Sequence, residues 1–149
     1  MILAIRAYGR PAPQGSKEQG GAGQLLESSA YLPAWRQAVR VAAFRAYQEH
    51  GIDPASLPLL PRGRVVVIER LWFFVTAEQC RAEGTDEPLG APDVDKLLRA
   101  TLDPLGGGRR NTARLYADDS QVQGVRDLWK YRATAESPPG AVILVNLGD

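Results

Sequence analysis

The chain has 149 residues, ordinary for one domain, with 44% hydrophobic and 23% charged residues. One cysteine, Cys80, and one histidine, His50, exclude an intrachain disulfide, a cysteine zinc cluster and any site that needs two histidines. A formal net charge of +1 argues against a purely electrostatic nucleic-acid binder, and no apolar run reaches the roughly 20 residues of a membrane span.

Residues 2–8 (ILAIRAY) alternate weakly and predict a short strand. No charged region precedes their apolar stretch, so no signal peptide is expected. Residues 9–31 hold Gly9, Gly15, Gly20, Gly21 and Gly23 with Pro11 and Pro13, and predict a loop. Pro33 fits the first turn of a helix. Trp35, Ala38, Val39, Ala42, Ala43, Ala46 and Tyr47 then recur with helical spacing and predict one apolar stripe. Gly51 is a natural C-terminal cap, and His50 before it suits the negative end of the helix. Residues 52–63, with Pro54, Pro58 and Pro61, predict a stiff connector.

Arg64 to Val75 (RVVVIERLWFFV) is the strongest strand signal. Its nearly unbroken apolar run predicts cover on both faces, part of it from a partner subunit. Residues 76–91 predict a polar loop containing Cys80. Asp93 to Leu105 predicts a second helix, Gly106 to Ala117 a flexible basic loop, and Val122 to Ala133 a strand. That strand would carry Arg126, Leu128, Lys130 and Arg132 on one face. Ser137–Gly140 predicts a turn and Ala141–Asn146 a final strand. Trp72 and Trp129 are expected in the core. The whole predicts a single compact α/β (α+β) domain over 1–149. It has a small mixed sheet and two main helices in the order β-α-β-α-β-β, with no repeat.

Charge is unevenly distributed. Basic residues outnumber acidic ones nine to five over 1–77 and six to five over 104–149, whereas acidic residues lead seven to three over 78–103. Within that acidic segment, Asp93 and Asp95 flank one residue at a helix start, and Asp118 and Asp119 precede a strand. Carboxylates from a helix start and a strand edge can converge on one cation. Mg²⁺ takes about six oxygens, several of them water. Asp95, Arg99 and Asp103 recur every four residues, within about 80° on one helix face, which sets a guanidinium beside the carboxylates. Structural roles compete for the same residues. Asp93 also suits an N-cap, Asp95 a first helical turn and Asp118-Asp119 a turn, while Arg99 suits an exposed pair with Asp95 or Asp103. The three glycines at 106–108 lack the lysine of a phosphate-binding loop.

The pattern P-D-x-D-K-L-x-R-x-x-x-D over Pro92–Asp103, followed by D-D-S-Q-V over Asp118–Val122, resembles the RusA family of Holliday junction resolvases. So does the N-terminal G-x-P-x-P-Q-G-S-K from Gly9 to Lys17, with Glu27-Ser28 and W-R-x-A-V-R from Trp35 to Arg40. The resemblance runs in order along nearly the whole chain. It implies a Mg²⁺-dependent endodeoxyribonuclease, with Mn²⁺ as a possible substitute. Such an enzyme acts as a homodimer on four-way DNA junctions in recombination and repair, in the cytoplasm of bacteria or of phage-infected hosts. The family's metal-binding aspartates carry over to Asp93, Asp95 and Asp119, with Asp118 a further candidate. Its basic catalytic residue, often lysine, carries over to Arg99. Lys96 stands where some members have asparagine, so either basic residue can meet the phosphate. The long loop before Asp118 and the acidic Glu83, Asp86 and Glu87 depart from the family pattern.

The expected reaction is hydrolysis of a phosphodiester by paired nicks across a junction. The expected DNA-backbone contacts are Lys17, Lys96, Arg109, Arg110, Arg126, Lys130 and Arg132. Fifteen of the eighteen basic residues are arginine, a bias that serves phosphate contact and that GC-rich coding also produces. Two other readings stand beside the nuclease. One is a non-catalytic DNA-binding dimer whose carboxylates only cap helices. The other is a metal-dependent nucleotide-sugar transferase built on D-x-D.

Overall fold

The computed structural model describes residues 1–14, 22–81, 84–107 and 112–148, without the side chains of 22–29. Among these residues five strands and three α-helices form one mixed α+β domain. In chain order they are β1 (Ile2–Tyr8), α1 (Ala22–Glu49), β2 (Val66–Val75), α2 (Ala77–Arg81), α3 (Val94–Leu102), β3 (Val122–Val125), β4 (Leu128–Arg132) and β5 (Gly140–Asn146). The sheet order is β1-β5-β2-β3, and β4 also pairs with β2. β5 lies antiparallel to both β1 and β2, while β3 and β4 run parallel to β2. No helix among the described residues is long and apolar enough to cross a membrane.

The apolar stripe of α1 is the core of the molecule. Trp35, Val39, Ala43, Ala46 and Tyr47 are buried, with Leu3, Ile5 and Ala7 of β1 in the same cluster. The helix is longer than Pro33 suggested. It covers Ala22–Glu49 with Pro33 inside it, at the loss of one ladder bond. Ala22, Gln24, Leu25, Leu26 and Ala30 are good helix formers, and the glycines nearby masked that signal. The C-terminus closes as expected. Gly51 has φ +67°, its N–H donates to Gln48, and that of Ile52 donates to Tyr47, the paired bonds of a Schellman cap. The His50 ring nitrogen lies 3.0 Å from the Ala46 carbonyl.

β2 explains why its sequence does not alternate. Val66 and Ile68 face the core, and so do Leu71, Phe73 and Val75. A bulge at Glu69-Arg70 shifts the parity between the two halves. The partner edge breaks at the same level. The single strand expected over Val122–Ala133 is two strands separated by Arg126-Asp127. Ion pairs Glu69–Arg126 (3.5 Å) and Arg70–Asp127 (3.0 Å) tie bulge to break. Arg126 therefore leaves the face shared by Leu128, Lys130 and Arg132.

Among the described residues the two faces of β2 are covered unequally. Helices cover one face. On the other, Trp72, Phe74 and Tyr131 pack together, and Trp129 is 56% exposed rather than in the core. Two loop expectations and one helix boundary also change. A short helix, α2, interrupts 76–91. It is capped reciprocally by Thr76 and Gln79 and buries Cys80. The second helix stops at Leu102, and a 3₁₀ turn continues it over Asp103–Leu105. In the basic loop, Ala113, Leu115 and Tyr116 are fully buried, because residues 113–115 bond back to 104–106. At the last turn Gly140 is obligatory, since a Cβ there would stand 2.0 Å from the Ala7 carbonyl.

Candidate metal centre and nucleic-acid interface

The acidic residues gather along α3. This helix is held to α1 through a buried relay, in which Trp35 Nε1–H donates to Thr101 Oγ1 (3.1 Å) and Thr101 donates to the Leu97 carbonyl (2.8 Å). Its buried face is Leu97, Ala100 and Thr101. Asp95 and Arg99 therefore point to solvent, and both are exposed. They form no ion pair among the described residues, so the surface-pair alternative for Arg99 is not what the structure shows.

Asp93 occupies the N-cap position with extended backbone (φ −67°, ψ 143°), yet its side chain makes no capping hydrogen bond. The carboxylate, 56% exposed, lies 3.6 Å from Lys96 Nζ. Asp118 does the opposite. It caps the 3₁₀ turn Asp119–Gln121, accepting from the Ser120 amide at 2.9 Å, while Gln121 Oε1 accepts from the Asp118 amide at 2.8 Å. The Ser120 amide holds the Asp118 carboxyl below the usual carboxylate range. Asp119, next in the chain, is exposed and free of that task.

Asp118 and Asp119 meet Asp103 and the backbone of Gly106-Gly107 around a polar cavity of about 110 Å³. Asp119 also borders an open groove against Leu98 and Leu102 of α3 and residues 122–125. Tyr116 lies beneath, its hydroxyl donating to the Leu102 carbonyl. Burial, reinforced by the charges of Asp119 and Asp103, pushes its phenol far above the ordinary value. The structure thus unites Asp118 and Asp119 with Asp103, at the end of α3. Asp93 and Asp95 stand at its beginning, about 13 Å away along a nine-residue helix.

All these donors are oxygens, the set that suits a hard divalent cation. Among the described residues, no three His, Cys, Asp or Glu side chains stand close enough to hold a metal ion. Mg²⁺ is commonly held by one or two carboxylates together with waters and phosphate oxygens. The Asp103/Asp119 and Asp93/Asp95 groups each fit that count.

Two residues not among the expected site residues frame the site, Asp103, which the helical spacing sets on the face of Asp95 and Arg99, and Arg36. Asp103 joins the cavity, and Arg36 of α1 lies 3.6 Å from its Oδ2 while donating to Gln14 Oε1 at 3.2 Å. The Gln14 amide in turn bonds the Lys96 carbonyl, so the N-terminal proline loop docks on α3. The signal was present, because Asp103 closes the i, i+4, i+8 series and Arg36 lies in the W-R-x-A-V-R segment. Of the expected DNA contacts, Lys17, Arg109 and Arg110 lie outside the described residues. Arg126 pairs with Glu69, and Arg132 lies 3.8 Å from Asp86. The Lys130 ammonium is turned onto the Gly90 and Pro92 carbonyls. Comparison with protein-family models and with curated proteins gives no match to this chain, so the functional reading rests on these residues.

Proposed function

We propose that the protein is a Mg²⁺-dependent endodeoxyribonuclease of RusA type that resolves branched DNA as a homodimer. The observation that carries this reading is the acidic cavity of Asp103, Asp118 and Asp119 at the C-terminal end of the helix that presents Asp95 and Arg99 to solvent. Oxygen donors beside an exposed guanidinium suit a phosphodiester, whose own charge must be neutralised while water attacks it. Water adds to phosphorus and the bond to the 3′ oxygen breaks, leaving a 5′-phosphate and a 3′-hydroxyl. A divalent ion held with waters and phosphate oxygens by Asp93 and Asp95 at one end of the helix, or by Asp103 and Asp119 at the other, would supply Lewis-acid activation of water and charge neutralisation. Arg99 faces the phosphate and stabilises the charge that grows on it. Its guanidinium stays protonated at neutral pH, so it stabilises but does not donate a proton.

The test is a labelled synthetic four-way junction incubated with the protein, with and without Mg²⁺. Symmetric paired nicks that require Mg²⁺ support the nuclease. A stable complex without cutting identifies a binding protein. Neither binding nor cutting overturns both readings and returns attention to nucleotide-sugar transfer.

A further inference from the structure

A lysine on the core-facing side of a strand needs a reason. Lys130 sits in register with Phe73, which is fully buried. Its half-buried ammonium donates to the carbonyls of Gly90 (2.7 Å) and Pro92 (2.9 Å). These two carbonyls bracket the last residues before Asp93. Two positions on, Arg132 reaches Asp86 in the same loop, so β4 grips that segment at two points.

What the grip fixes is the start of α3. Asp93 makes no capping bond, and the helix contacts its carboxylate only through the Lys96 ammonium at 3.6 Å, so the peptide that delivers Asp93 has to be held from elsewhere. A cation at a helix N-terminus also has the wrong sign for the helix dipole. Stabilising the helix therefore does not explain the lysine, whereas holding the peptide that delivers Asp93 does. The same two bonds engage the ammonium with the protein's own backbone.

We propose that Lys130 is a positioning residue that sets the Asp93 and Asp95 carboxylates for a divalent cation. This rests on the metal-dependent reading above. Groups that orient metal ligands from behind typically cost 10–100-fold in metal affinity when removed.

The experiment compares wild type, Lys130→Met and Lys130→Arg. Mn²⁺ binding is followed by electron paramagnetic resonance, amide exchange of residues 93–96 by mass spectrometry, and junction affinity against salt. Lys130→Met keeps the apolar stem and removes the charge. The expected result is faster exchange at 93–96, Mn²⁺ affinity lowered about 10-fold and an unchanged salt slope, with Lys130→Arg recovering most of the affinity. Unchanged Mn²⁺ affinity with a salt slope reduced by about one would make Lys130 a phosphate contact and overturn the proposal. Unchanged exchange at 93–96 would overturn it as well. Wild-type protein that binds no Mn²⁺ would defeat the metal reading itself, an outcome that the exchange measurement keeps separate.

Discussion

Asp93 and Asp118 both precede a helical turn and use that position differently. The Asp118 carboxylate accepts from the Ser120 amide, while the Asp93 carboxylate makes no capping bond and lies against Lys96 instead. Asp93→Asn, Asp95→Asn and Asp119→Asn are accordingly expected to abolish cleavage in millimolar Mg²⁺ while junction binding survives. Near-wild-type cutting by any one of them removes that residue from the site. Asp118→Ala should instead act on stability. Its folded pKa is depressed, so its contribution is present above the unfolded value of about 3.9 and is lost as pH falls through the folded value. The Tm difference between wild type and Asp118→Ala should hold steady from pH 5 to 8 and shrink in stronger acid. A difference that grows in acid would show that the carboxylate is not the cap. Arg99→Ala should lower the single-turnover rate by roughly 10²–10³, and Arg99→Lys should recover much of it. Lys96, beside Asp93 at 3.6 Å, should affect the rate less. If Lys96→Ala is the slower enzyme, the two basic residues have exchanged roles.

At the scale of elements, the Trp35–Thr101 bond is what seats α3 against α1. Thr101→Val is nearly isosteric but leaves a buried indole N–H unpaired. It should cost about 1–3 kcal/mol, seen as several degrees in Tm, and an unchanged Tm would show that the helices are held by packing alone. The elements legible in the sequence were the α1 stripe with its strong helical repeat, its Gly51 cap, the weakly alternating β1, the apolar β5 and the helix opened by Asp93. Where a local device overrode the pattern, the reading failed, although its residues were in view. Glu69-Arg70 interrupts the apolar run of β2 and is the bulge. Thr76 and Gln79 have the spacing of a capping box and define α2. Pro33 reads as a start because proline rarely lies mid-helix, but the favourable residues before it carry the helix on. The acidic site was legible in composition and less so in grouping. Helical spacing placed Asp103 near Asp95 on one face but could not show that the chain returning at Asp118 meets the far end of that helix.

The whole molecule is a sheet with helices on one side. Its other face carries Ile2, Tyr8, Val142, Leu144, Trp72, Phe74, Tyr131 and Trp129, of which Ile2, Tyr8 and Trp129 are exposed and Phe74 is buried. Four strands abreast and about seven residues long span roughly 20 Å by 20 Å, and apolar patches of a few hundred Å² on a monomer mark interaction sites. The arginines on this face are already engaged. Arg6 donates to the carbonyls of Ala7, Pro138 and Ala141 and lies over the rings of Tyr8 and Phe74. Arg70 pairs with Asp127 and lies over Trp72. A face whose cations are so occupied suits an apolar surface better than phosphates, and a second copy of the same sheet offers one. A junction presents two strands related by symmetry, so a two-fold dimer with one acidic site per protomer matches the task. Sedimentation at micromolar concentration should give about twice 16.2 kDa. Trp129→Glu together with Tyr8→Glu, both at exposed positions, should shift the protein to monomer while the fold survives by circular dichroism. That monomer should nick one strand of a junction without the concerted second cut. A wild-type monomer, or paired cutting by the monomeric variant, would show that resolution does not depend on this face.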